Sequence, residues 1–132
     1  MRAISLWQPW ATLIREGKKT IETRMWPTNM RGDILICSTK KPTVSGHLCG
    51  YALCVVRLRD CRPMVRGDET AAMCDWEPGR WAWVLSNIRP TSPFPVTGKQ
   101  GFFDVQLPCS DHCMDFGTSL LPGLGRPLFK EP

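Results

Sequence analysis

A chain of 132 residues with 42% apolar and 22% charged side chains fits one globular domain with one modest core. Twelve prolines and eleven glycines favour many short elements joined by turns over a few long helices, and no stretch approaches the length of a membrane span. The formal net charge of +5 suits a polyanionic partner, nucleic acid above all, while seven cysteines without an export-type leader at the amino terminus argue for a reduced, cytosolic protein without a disulfide framework.

Residues 2–6 (RAISL) read as a first strand. Gln8-Pro9 opens a helix, with proline expected at the first helical position, and Trp10, Leu13 and Ile14 follow at helical spacing as its apolar face. Gly17 fits the left-handed position that ends a helix, and Lys18 and Lys19 suit its negative end. Thr20–Arg24 alternates as a strand does: Ile21 and Thr23 face one side, Thr20, Glu22 and Arg24 the other. Met25–Arg31 is a loop, and Gly32-Asp33 leads into a buried strand over Ile34–Ser38. Thr39–His47 is a polar loop carrying Lys40 and Lys41. Gly50–Asp60 is the longest strand, Thr70–Met73 a short helical turn, Arg80–Asn87 another strand and Gly101–Leu107 the last. Arg89–Lys99, rich in proline, reads as an irregular connection. Cys37 and Cys54, inside apolar runs, read as small buried hydrophobes. This pattern predicts an α+β, mainly β fold: a small β-barrel over residues 1–107 with one main helix packed beside it. Residues 108–132 form an irregular C-terminal extension, with Leu120, Leu121 and Phe129 as apolar anchors.

Three groups of residues could carry chemistry. Glu22 and Arg24 leave one strand face, with Lys19 at the preceding turn able to converge on them. A cation, a carboxylate and a guanidinium in one small space can bind phosphate, hydrogen-bond a base edge or move a proton. The alternative is a solvated strand face with an ion pair worth about 0–1 kcal/mol. The tryptophans at 7, 10, 26, 76, 81 and 83 form the second group. Most read as core, with Trp26 and Trp76 as the exposed rings able to stack on a base. The third is Cys109-x-x-His112-Cys113; three such residues without a CxxC or HxxxH spacing do not make a zinc site, so no metal or cofactor is expected. His47 and His112 have no evident nucleophile partner, and P-loop, GxGxxG, HExxH and GxSxG motifs are absent.

The run Gly17-Lys18-Lys19-Thr20-Ile21-Glu22-Thr23-Arg24 resembles the GxKxxExR signature of the ASCH domain, a family of the PUA-like superfamily. The likeness continues through LWQPWATLI, WPTNMRGDILICSTKK, GYALCVVRLRDC, WEPGRWAWVLSNIRP and PVTGKQGFFDV, so it covers about residues 3–107 in order. It implies a PUA-like β-barrel with a cleft beside the signature, and a nucleic-acid or nucleotide ligand: RNA, single-stranded DNA or a modified base. Ligand-binding residues would be Gln8, Trp10, Lys19, Glu22, Arg24, Trp26, Ser38 and Lys40, with Lys18, Arg31 and Lys41 adding basic charge. Some ASCH proteins are similar hydrolases that deacylate N4-acetylcytidine with a lysine, a threonine and a glutamate, and another resembles a metal-dependent ribonuclease. In a catalytic reading Lys19 and Glu22 would do the work. The hydrolase threonine, however, falls where this chain has Glu22, which directs the reading toward binding.

Overall fold

The computed structural model describes residues 1–108. In chain order it contains β1 (Arg2–Leu6), α1 (Trp10–Arg15), β2 (Ile21–Arg24), β3 (Gly32–Ser38), β4 (Tyr51–Pro63), a 3-10 turn (Arg66–Asp68), α2 (Glu69–Ala72), β5 (Trp81–Pro95) and β6 (Phe103–Asp104). The strands form one sheet in the order β2-β5-β4-β3-β1-β6, antiparallel throughout except for the β1–β3 pair. No described helix is long and apolar enough to cross a membrane.

The mainly-β expectation holds, but the expected barrel needs correction. The sheet is open: β2 and β6 are its two edges, and no ladder joins them among the described residues. These edge strands span only four and two residues, so neither offers much backbone for closure. Side chains bridge the opening instead. Arg24 Nη2 on β2 donates to the Ser5 carbonyl on β1 at 3.1 Å, and Trp26 meets Phe102 edge-on at 6.1 Å between centroids.

The centre of the sheet is covered on both sides, which is why β3 reads as an unbroken apolar run. Ile34 and Ile36 pack with Ile14 of α1, Leu53 and Trp83, whereas Leu35 and Cys37 pack on the opposite face with Val96 and Phe103. Cys37 and Cys54 are fully buried, and burial pushes both thiols up to about 12.

Four local expectations change. β5 continues through the proline-rich stretch to Pro95. Register shifts along the β4–β5 ladder, with Asn87 at φ +51°, let the strand accept Pro90 opposite Cys54 and Pro95 opposite Tyr51 without a regular repeat of bonds. Pro9 precedes α1 as its N-cap instead of opening its first turn. The buried face of α1 is Ala11 and Ile14, whereas the Trp10 ring is 36% exposed. Trp76 is also not a free stacking surface: its Nε1 donates to the Met64 carbonyl at 2.8 Å and Arg66 lies 4.4 Å over its ring.

The turn after α1 matches its expectation. Gly17 adopts φ +80°, its N–H donates to Ile14 O, and the next two amides both return to Leu13 O. Nothing lies within 4 Å of where a Gly17 side chain would start. Gly17→Ala therefore meets backbone strain without a clash, and urea unfolding should show a loss of about 1–2 kcal/mol.

Candidate functional site

β2 is pinned on one side only, by β5, with Glu22 opposite Trp83 and Arg24 opposite Trp81. Ile21 sets the register by burying itself with Met64, Ala72 and Ala82 on the far face. Thr23 follows Ile21 to that face, where its hydroxyl accepts from Arg80 Nη1 at 3.0 Å and lies 3.8 Å from Cys74 Sγ. Glu22 and Arg24 are thereby turned the other way, as the alternation predicts.

The three charged groups do converge. Lys19 Nζ stands 3.7 Å from Glu22 Oε1, and Arg24 Nε stands 3.2 Å from Glu22 Oε2. Lys19 is 3% exposed, donates to the Ala72 carbonyl at the end of α2, and lies 5.4 Å beneath the Trp10 ring. Arg24 is held at about 6 Å over both Trp26 and Trp83 while it donates to Ser5. This is a buried cluster rather than a solvated strand face.

Burial dominates its protonation. Desolvation pushes the Glu22 carboxyl above the usual carboxylate range, against the opposing pull of Arg24 and Lys19. Desolvation likewise lowers Lys19 below an ordinary lysine, against Glu22. Burial thus brings the two groups' proton affinities closer together than in an exposed pair.

A cleft of about 980 Å³ opens over Glu22 and Arg24 at the gap between the sheet edges. Of the residues expected from sequence, Trp10, Glu22, Arg24, Trp26 and Lys40 line it, and Lys19 supports Glu22 from behind. Gln8 and Ser38 do not face it. The Gln8 amide donates to Leu48 O at 2.7 Å and accepts from Thr12 N at 3.0 Å. Ser38 Oγ also donates to Leu48 O, and accepts from Tyr51 N at 3.1 Å. Both are spent holding the 48–51 segment. Lys18 pairs with Glu16, Arg31 pairs with Asp60, and neither lines the cleft; nor does Lys41.

Sequence reasoning missed Trp7, which is 61% exposed at the cleft, and the segment Thr97-Gly98-Lys99-Gln100-Gly101. The signal for the latter was a lysine between glycines directly before the last strand. Among the described residues no group of three potential ligands could hold a metal. Cys109, His112 and Cys113, with the rest of the C-terminal extension, lie outside the described residues.

The raised Glu22 pKa has a definite sign for stability. The folded state keeps a proton that the unfolded chain releases, so this contribution is full below the ordinary carboxylate pKa of about 4.3 and is lost as pH rises through the folded Glu22 value. Asp33 and Asp68, lowered by Arg89 and Arg62, act in the opposite sense. Urea unfolding of wild type and Glu22→Gln across a pH series should show the wild type losing stability relative to the variant as pH rises above about 4. A constant difference would contradict the assignment.

Comparison with known proteins now bears on these features. No curated protein matches the sequence at a significant level. The crystal structure of the ASCH protein from Zymomonas mobilis superposes with a TM-score of 0.62 at 18% identity, covering 80% of this chain and 87% of that one. Crystal structures of two mutants of the Zymomonas mobilis protein give TM-scores of 0.59 and 0.58 at 17% identity, again over 80% of this chain and over 90% and 88% of theirs. At such identity the likeness is one of fold. The family model of the ASCH domain matches residues 4–94, a span that holds the whole Lys19–Glu22–Arg24 cluster, and the chain belongs to the ASCH domain family.

Proposed function

We propose that the cleft binds a nucleobase, presented by RNA, single-stranded DNA or a nucleotide. The observation that carries this reading is a buried carboxylate at an aromatic-lined opening. Glu22 can accept a hydrogen bond from an exocyclic amine, or donate one when protonated. Trp7 and Trp10 give exposed ring faces for stacking beside it. Arg24 and Lys19 keep the carboxylate fixed, so that little ordering is left to the binding step. Membership of the ASCH family, a PUA-like fold associated with RNA, agrees with this chemistry.

Fluorescence anisotropy with labelled single-stranded RNA and DNA at two salt concentrations tests it. Affinity should fall steeply with salt. Trp10→Ala and Glu22→Gln should each weaken binding by about 1–3 kcal/mol while the fold is retained by circular dichroism. Wild-type affinity in both variants would refute the base pocket, whereas binding indifferent to salt would show that the ligand's phosphates are not contacted.

One observation favours a second, catalytic reading. A lysine lowered and a glutamate raised within 3.7 Å form an acid–base pair that could serve hydrolysis of RNA or of an acylated nucleoside. The threonine nucleophile of the deacylating relatives falls at Glu22 in this chain, and the neighbouring Thr23 hydroxyl is engaged by Arg80 Nη1 at 3.0 Å. Labelled RNA and N4-acetylcytidine, each incubated with and without divalent metals, should be left intact if the protein only binds. Turnover abolished by Glu22→Gln would establish the enzyme instead.

A further inference from the structure

We propose that the end of β1 forms a phosphate subsite, with Lys40 and Lys99 as its cations, so that the ligand is a phosphorylated nucleotide or a phosphodiester strand and not a free nucleoside. This deepens the base-pocket reading and rests on it for the neighbouring base.

The topology places the two lysines together. β1 lies between β3 and β6 in the sheet, parallel to the first and antiparallel to the second. The end of β3 and the approach to β6 therefore both meet the end of β1. Lys40 leaves from β3: Leu6 pairs with Ser38, and Thr39 N donates to Leu6 O at 2.9 Å. Lys99 sits on the segment before β6, whose Gly98 is pressed against Ser5 of β1, so that a Cβ there would collide with Ser5 Oγ. Both lysines line the cleft that Glu22 opens into.

Charge is left unbalanced at this place. Arg2, Arg31, Arg62, Arg80 and Arg89 each have a carboxylate within 3.9 Å. Lys40 and Lys99 have no ion-pair partner among the described residues. Among the described residues lining the cleft, Glu22 is the only acidic one, and it is already flanked by Arg24 and Lys19. The Lys40 stem is also held in place, since its Cγ packs where a Cβ at Gly50 would come within 2.6 Å.

Hydrogen-bond donors accompany the charge. Among the described residues the amides of 97–101 donate to no backbone carbonyl, and the segment turns through Gly101 at φ +68°. Free amides in a glycine-bearing turn are the elements of an oxyanion nest. Ser5 Oγ and Thr39 Oγ1, both on residues of the cleft wall, are buried without a hydrogen-bond partner. A small shift of the Gly98 segment off Ser5 would give those hydroxyls a phosphate oxygen to bond.

Titration followed by tryptophan fluorescence tests the subsite. Each common ribonucleoside is compared with its monophosphate, alongside inorganic pyrophosphate alone and a short single-stranded RNA. The best-bound monophosphate should exceed its nucleoside in affinity by roughly tenfold or more. Lys40→Ala and Lys99→Ala should each remove most of that gap with an unchanged melting temperature. Arg59→Ala, an equal loss of charge on an exposed part of β4, should keep it. Equal affinity for nucleoside and monophosphate, or a gap that survives both lysine substitutions, overturns the subsite and leaves the base pocket standing. Pyrophosphate that saturates the wild type but neither lysine variant, while every nucleoside fails to bind, supports the subsite and sinks the base pocket. Of the two phosphate sources, a strand that binds tighter than the mononucleotide assigns a phosphodiester ligand, and one that does not assigns a free nucleotide; both support the subsite.

Discussion

Burying the Glu22 carboxylate is the constraint around which the rest of the site is arranged. A carboxylate removed from water is costly unless charge and hydrogen bonds compensate it. Here Lys19 and Arg24 approach its two oxygens from either side. Each cation is then fixed by something else: Lys19 by the Ala72 carbonyl and the Trp10 ring, Arg24 by the Ser5 carbonyl and the rings of Trp26 and Trp83. α1, α2, β1 and β5 thus all contribute to holding one acidic group. Removing either cation would leave the others with unmatched charge in a dry place, which makes the cluster a unit rather than three separable residues.

The open sheet explains why this cluster reaches solvent at all. In a closed ladder the space between β2 and the β1–β6 edge would be filled by backbone pairing. Here the opening is spanned by Arg24 and by the Trp26–Phe102 contact, with room left for a ligand. The same opening brings β1's end, the Lys40 loop and the Lys99 segment onto one cleft, although these lie far apart in the chain. Fold and site are therefore linked through topology: the strand that ends the sheet early is the strand that carries the acid.

What could be read from the sequence was local. The alternation through Ile21 and Thr23 assigns Glu22 and Arg24 to one face, and it does so because a strand has period two. Gly17 announces the turn because few residues tolerate its φ. The length of β5 was not legible, because its prolines punctuate the stretch while the irregularities that accommodate them are set by pairing with β4. Gln8 and Ser38 looked like ligand groups because they are polar and flank the signature; only the fold reveals that Leu48 and Tyr51 consume them. Trp10 fits a helical apolar stripe, yet the side of the stripe it occupies borders the cleft and not the core. Lys99 had no local pattern tying it to Glu22, since they meet through the order of strands.

The dependence of Glu22 on the placement of Ile21 makes chain length a determinant of specificity. Between the Gly17 turn and the pairing of Ile21 with Val84 the chain has no slack: Lys19 N returns to Leu13, and Thr20 N donates to Ala71. One residue inserted or deleted in that interval, with the turn held and β2 slipped by one position along β5, would exchange the two faces of the strand. The cleft would then present an aliphatic or hydroxyl group where it now presents a carboxylate, and the acid would face α2. Spacing between Gly17 and Ile21 thus encodes which functional group meets the ligand, so a relative with the same residues and a different interval would possess a chemically different pocket.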